Sequence, residues 1–277
     1  MQAETVMETN LPIPLLKRGK VRDVYDLGSR LLIVSTDRIS AFDIVLPNGI
    51  PFKGEALNRL SNYWFEQTSD LVDNHIMDVV DPRTILVRKA RPIKIEFVVR
   101  GYLYGSLWES YKIGKSVGLP EGLDKAAKLK SPILTPTTKA DVGHDTELFM
   151  EAVTKRIGKS VASEISEISI RIYERASQKA EANGIIIADT KFEFGFCNNE
   201  LTLIDECLTP DSSRFWSNEK YQIGQDQHSY DKQYVRDYLL DLGWNKQPPP
   251  PKLPDPVILE TSKKYIEAYE RVTGRKF

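Results

Sequence analysis

Residues 185–207 (IIIADTKFEFGFCNNELTLIDEC) constrain this chain more than any other stretch. Apolar and charged side chains alternate around Asn198 and Asn199, and asparagine tolerates the positive φ of a tight turn. The pattern predicts a β-hairpin, in which side chains alternate between faces, so one residue of turn length decides which of them meet. A two-residue turn at 198–199 sets Glu193 across from Ile204 and Asp205 across from Phe192, mixing charge with apolar surface. A three-residue turn at 198–200 sets Glu193 across from Asp205, leaves Asp189 and Lys191 on that face and sends Phe192, Phe194 and Phe196 to the other. Segregation of charge favours the second register, barring a bulge. Facing carboxylates repel unless a cation joins them, and Mg²⁺ takes one or two carboxylates and completes its shell with phosphate and water. The same Asp-x-Lys-x-Glu pattern also suits a solvated sheet face on which Lys191 merely neutralises Glu193, and spacing leaves both readings standing.

A helix should precede the hairpin. Apolar residues at 161, 165, 168, 172, 176 and 180 form a helical stripe from Ser160 to Asn183, with Gly184 where a left-handed stop is wanted. Earlier, 31–35, 84–88 and 95–100 read as strands, and Leu57, Leu60, Trp64 and Phe65 mark an amphipathic helix over 55–70. Residues 112–145 mix Gly, Lys and Pro with little periodicity and read as a lid or binding loop. Four prolines at 248–251 form a stiff spacer before a last helix, about 257–273, with Ile258, Tyr265, Ile266, Tyr269 and Val272 inward. A length of 277 residues suits one large or two modest domains.

Charge narrows the function. Thirty-eight Lys plus Arg against 39 Asp plus Glu leave a net charge of −1, so no overall field draws nucleic acid or anionic lipid. Apolar runs such as 184–188 are far shorter than the roughly 20 residues that span a bilayer. No secretory leader is visible at the N-terminus, and a cytoplasmic location is expected. Two cysteines, Cys197 and Cys207, and three scattered histidines give neither a disulfide framework nor zinc spacing, so any metal should have oxygen ligands.

Three further clusters bear on chemistry. In 17–25 (KRGKVRDVY), Lys17, Arg18, Lys20 and Arg22 surround one glycine. This is either a basic surface turn or a grip on polyphosphate, and it matches neither a P-loop nor a dinucleotide fingerprint. In 100–109 (RGYLYGSLWE), Ser106 and Glu109 have the spacing of a capping box, while Arg100 and a helix start suit a phosphate monoester. In 205–216 (DECLTPDSSRFW), Asp211, Ser212, Ser213 and Arg214 crowd a turn, and Arg214 can hold phosphate or carboxylate in two-pronged fashion. Phe215 and Trp216 read as core.

Taken in order, KRGKVRDVY (17–25), STDRISAFD (35–43), IEFVVRGYLYGS (95–106), IADTKFEFG (187–195) and IDECLTPDSSRFW (204–216) resemble the phosphoribosylaminoimidazole-succinocarboxamide synthases, or SAICAR synthetases, over nearly the whole chain. The resemblance implies an ATP-dependent ligase of purine biosynthesis, with Mg²⁺ as cofactor, that joins the carboxylate of carboxyaminoimidazole ribotide (CAIR) to the amine of L-aspartate, giving SAICAR, ADP and phosphate. The sequence supports an α+β protein with a strand-rich part (1–100) and a helix-plus-sheet part (101–277), the nucleotide between them, and the resemblance implies a similar two-lobed arrangement related to protein-kinase and ATP-grasp architectures. The resemblance also implies roles: Lys20, Arg22 and Lys139 on ATP, and Glu193 and Asp205 on Mg²⁺. Arg100, Ser106 and Arg214 would clamp the ribotide phosphate, Lys191 would meet the substrate carboxylate, and Asp189 and Asp211 would meet ribose or ring groups. Lys191, Glu193 and Asp205 are thus the expected catalytic set. Asp37, Arg38, Ser40 and Asp43 lie in a shared motif without an assigned role. Two residues depart from the family pattern: Lys94 replaces a common proline, and Tyr104 replaces a small residue and is expected to point away from the pocket. Rival readings are another ATP-dependent carboxylate–amine ligase or a small-molecule kinase on the same scaffold, a non-catalytic nucleotide binder, or a structural module.

Overall fold

The computed structural model describes residues 4–115, 118–139 and 146–277. After an extended N-terminal strap, β1 (Leu15–Arg18), β2 (Arg22–Asp26) and β3 (Arg30–Ser35) form an antiparallel meander, β4 (Arg38–Ala41) and β5 (Ile44–Gly49) a separate hairpin, and α1 (Lys53–Gln67) follows. β6 (Asp73–Asn74) joins a later sheet, while β7 (Ile76–Asp81) and β8 (Thr84–Arg88) complete the first in the order β1-β2-β3-β8-β7. Then come β9 (Arg91–Tyr102), α2 (Ser106–Lys112), β10 (Lys128–Thr138), α3 (Met150–Ile157), α4 (Lys159–Ala182), β11 (Ile185–Cys197), β12 (Glu200–Ile204), β13 (Ser213–Ser217), α5 (Gln233–Asp241) and α6 (Asp255–Thr273). The second sheet runs β10-β9-β11-β12-β6, with β13 also on β11. Helices and separate, mostly antiparallel sheets make this an α+β fold. Among the described residues no helix is long and apolar enough to cross a membrane.

One face of the second sheet carries the main core. α4 buries Ile165, Ile172, Ala176 and Ala180 in one cluster with Phe97, Val99, Phe192 and Phe194 from the strands, Leu60 and Trp64 from α1, and Ala268 and Val272 from α6. Each large side chain so buried contributes about 1.5–3 kcal/mol, which fixes the sheet by one face and frees the other to present polar groups. The helix ends where its sequence predicts, with Gly184 at φ 77° just beyond it. In α6, Tyr265, Tyr269 and Val272 are buried as expected, but Ile258 and Ile266 are only half-buried, and Val257, Thr261 and Ala268 lie inside instead.

The expected loop over 112–145 is in part a strand. β10 pairs with β9 along most of its length, and its prolines 132 and 136 hid it; both are tolerated because β10 is an edge strand. His144 lies outside the described residues. The hairpin register also differs from expectation. Cys197 faces Glu200 and Glu193 faces Ile204 around a two-residue turn, with Asn198 at φ 52° and Asn199 at φ 67°. Both turn residues are left-handed, the arrangement whose twist matches the flanking strands, and it overrides segregation of charge.

Two backbone irregularities restore the segregation. Ile187 faces Phe215 of β13 and Asp189 faces Arg214, so Ala188 is an extra residue in β11. The bulge shifts the side-chain phase: Ile185 and Ile187 face the core on odd positions, Phe192 and Phe194 on even ones. Asp189, Lys191 and Glu193 are thereby turned to the open face. Past the end of β12, Asp205 adopts φ 71°, which breaks the alternation and brings its carboxylate to the same side as Glu193.

Candidate active site

The open face floors a cleft of about 400 Å³, lined also by Lys20 and Val21 of the β1–β2 turn, the β4–β5 hairpin, the 205–214 segment and Arg236 of α5. Three cross-strand pairs cover the floor: Asp189 opposite Arg100, Lys191 opposite Val98 and Glu193 opposite Glu96. Two residues along a strand span roughly 7 Å, so Lys191 lies about midway between the Arg100 end and the Glu193 end.

At the first end Arg100 is buried and donates from Nε to Thr135 Oγ1 (2.8 Å), from Nη2 to Ser106 Oγ (3.0 Å) and from Nη1 to Asp189 Oδ2 (3.4 Å). Arg214 donates to the same Asp189 oxygen from the other side. Gly105 has φ 60°, and a Cβ there would come within 2.5 Å of Arg214 Nη2, so only glycine lets the chain pass this closely. Ser106 is the first residue of α2 and makes no capping bond; the capping-box reading gives way because its hydroxyl accepts from Arg100. Tyr104 turns toward Trp216 and Asp226, its hydroxyl donating to Asp226 Oδ1 (2.6 Å), while the Arg214 guanidinium lies 5.5 Å from its ring centre.

At the other end Glu96 and Glu193 are like charges directly opposite, an arrangement that costs stability unless cations intervene. Lys191 Nζ meets Glu96 Oε2 (2.5 Å), and Lys139 Nζ meets both oxygens of Glu193. Burial, reinforced by the nearby Asp205, pushes the Glu193 carboxyl up to about 7 in spite of Lys139. Burial works the same way on Asp205, but Arg22, whose Nη2 donates to Asp205 Oδ2 (2.6 Å), holds that carboxyl below its ordinary value. Arg22 therefore flanks Asp205 beside a small crevice lined by Ile33 and Ile85. Lys20 lines the main cleft and pairs with Asp43 Oδ1 (2.5 Å). Among the described residues no group of three or more His, Cys, Asp or Glu is arranged around a metal position. The pair Glu193 and Asp205 still fits Mg²⁺, which needs only one or two carboxylates when phosphates and water supply the rest. The supporting observation is that both carboxylates line the one cleft and each has already drawn a cation, Lys139 on Glu193 and Arg22 on Asp205.

Asp211 also lines the cleft, but both its oxygens are engaged: Lys53 Nζ donates to Oδ2 (2.7 Å) and Tyr265 to Oδ1 (2.7 Å). Burial raises its carboxyl and is outweighed by Lys53 and Lys232, which keep it well below the usual range. Sequence reasoning missed Glu96, Lys53, Glu206, Lys232 and Arg236. Glu96 carries a signal, because Glu96, Val98 and Arg100 alternate with Phe97 and Val99. Lys232 and Arg236 are four residues apart around α5, whose inward Val235 and Leu239 could have revealed the helix. Both line the cleft, and the buried Nε of Arg236 has no hydrogen-bond partner among the described residues. Lys53 has no such signal.

Known proteins match this chain over nearly its whole length. The family model described as SAICAR synthetase matches residues 15–251. A phosphoribosylaminoimidazole-succinocarboxamide synthase of Thermodesulfovibrio yellowstonii is 50% identical, with 97% of this chain and 99% of that protein covered. Among solved structures, the SAICAR synthase of Saccharomyces cerevisiae complexed with SAICAR superposes with a TM-score of 0.91 at 39% identity, covering 99% of both chains. A SAICAR synthetase in complex with ADP gives 0.73 at 26% identity, covering 94% of this chain and 98% of its own.

Proposed function

The chain belongs to the SAICAR synthetase family, and on that premise we propose that it ligates CAIR to L-aspartate with cleavage of ATP to ADP and phosphate, in the cytoplasm, as a step of purine biosynthesis. The observation that carries this reading is one cleft with a cationic end, a carboxylate end and a lysine midway: Arg100, Ser106 and Arg214 at one, Glu193 and Asp205 at the other, Lys191 between, with Lys20 also in the lining. A ribotide phosphate suits the first end. Its ring carboxylate then falls near Lys191, and the ATP phosphates come to Lys20 and the carboxylate pair. Half-buried Val24, Leu31 and Ile76 form an apolar shelf beyond Arg22, on the same face of β2, suited to the adenine. We read the chain as two lobes whose junction lies near residue 90 rather than at the expected 100, because β9 belongs wholly to the second sheet.

A free carboxylate is a poor electrophile, so an oxygen of the CAIR carboxylate attacks the γ-phosphorus and ADP leaves, giving an acyl phosphate. The neutral amine of aspartate then attacks the acyl carbon and phosphate departs with that oxygen. Mg²⁺, held by Glu193 and Asp205, would neutralise phosphate charge when bound. The protein's own part is positioning and charge: Lys191 steadies the carboxylate, Lys20 the transferred phosphoryl group, and the clamp fixes the ribotide. For aspartate we read Lys232 and Arg236 as carboxylate partners, because the unpartnered Arg236 Nε lies buried at the cleft.

In the test, ADP release is followed with Mg-ATP while CAIR or aspartate is omitted, using CAIR labelled with ¹⁸O in its carboxylate. ADP in quantity only with both substrates, and label in the released phosphate, are the expected results. Rapid ADP formation without CAIR would mean a different acceptor, and unlabelled phosphate would exclude the acyl phosphate. Arg236→Met should raise KM for aspartate by roughly tenfold or more while KM for CAIR stays within twofold. Equal changes in both would remove Arg236 from the aspartate site.

A further inference from the structure

Arg38 does not enter the cleft, yet it is buried and every one of its guanidinium nitrogens is occupied. Nη2 donates to Gly19 O (2.9 Å) and to Asp23 Oδ1 (2.8 Å), Nε to Lys20 O (3.2 Å), and Nη1 to Met7 O. Asp23 is fully buried, and its other oxygen accepts from Thr9 N (2.8 Å) and Thr9 Oγ1 (2.9 Å) in the N-terminal strap. The next carbonyl of the loop, Val21 O, accepts from Thr36 N (2.9 Å) and Thr36 Oγ1 (2.8 Å). Three successive carbonyls of the basic loop are thus drawn inward. A carbonyl and the following N–H point in opposite directions across a trans peptide, so the amides of Lys20 and Val21 are turned the other way, and both residues line the cleft. Successive outward amides form a concavity for anions.

We propose that Arg38, supported by Thr36, is a positioning residue for ATP: by binding the carbonyls of Gly19 and Lys20 it presets the loop so that backbone amides and the Lys20 side chain meet the phosphates together. The inference rests on the reading of Lys20 as a phosphate contact and deepens it. An unsupported surface turn would have to rotate these peptides on binding, and ATP affinity would carry that cost. A merely structural arginine would instead lower stability and change all three substrate constants alike.

Steady-state kinetics on Arg38→Lys, Thr36→Val and Lys20→Met, each with its melting temperature, test the proposal. Arg38→Lys keeps a charge beside Asp23 but cannot span three segments. It should raise KM for ATP by roughly tenfold, with KM for CAIR and aspartate within about twofold, and Thr36→Val should raise KM for ATP about threefold. A folded Arg38→Lys with an unchanged KM for ATP, while Lys20→Met raises it, overturns the inference. If Arg38→Lys does not fold, Thr36→Val decides, and an unchanged KM for ATP there overturns it equally. An unchanged value for Lys20→Met beside a raised one for Arg38→Lys refutes the Lys20 contact alone and supports the amide cradle.

Discussion

Glu193→Gln lowers kcat for ligation by roughly 10³-fold or more, because it removes one of two carboxylates that hold the charge-neutralising cation while leaving shape nearly unchanged. The same variant separates a metal site from a solvated face by its stability. The native Glu193 carboxyl titrates at about 7, above its ordinary 4.5, so between those values the folded protein holds a proton that the unfolded chain releases. Stability contributed by the protonated form is present below pH 4.5 and is lost as pH rises through 7. Without Mg²⁺, Glu193→Gln should therefore gain on the wild type by about 3 kcal/mol at pH 8, and the gain should vanish toward pH 4.5. Melting curves at the two pH values measure it. A variant less stable at both, with normal turnover, would mean that Lys139 and Glu193 form an ordinary ion pair.

Arg100→Met raises KM for CAIR by roughly 10²- to 10³-fold and leaves KM for ATP nearly unchanged. The guanidinium is buried and fixed from three sides, by Thr135, Ser106 and Asp189, so it meets an anion without reorganising. Asp189 keeps Arg214 in the variant, which limits the damage to the unliganded protein. A KM for CAIR within threefold of the wild type would move the ribotide phosphate elsewhere.

Much of this was readable in the sequence where one physical rule acted alone. The stripe from 161 to 180 had only helical period to obey, and α4 follows it to Gly184. The floor residues Asp189, Lys191 and Glu193 share a face because strand alternation is strict between bulges. Reading failed where two rules competed. Turn chemistry at Asn198 and Asn199 overrode separation of charge, and the left-handed Asp205 then delivered by backbone conformation what the wrong register had sought from pairing. Prolines disguised β10 because a single sequence does not say which strand will lie at an edge. Lys53 could not be found at all, since its role depends on Asp211, 158 residues away in the chain.

The extra residue at Ala188 means that β11 is written in two frames, one for its packing half and one for its chemical half. Deleting that residue would not shorten a loop; it would exchange the meaning of every position on one side of it, sending Asp189 inward or the isoleucines outward. A transplant of this hairpin into another sheet must carry the insertion with it. Alignments that close the gap for the sake of length would match ligand-facing positions of one protein to oily positions of another.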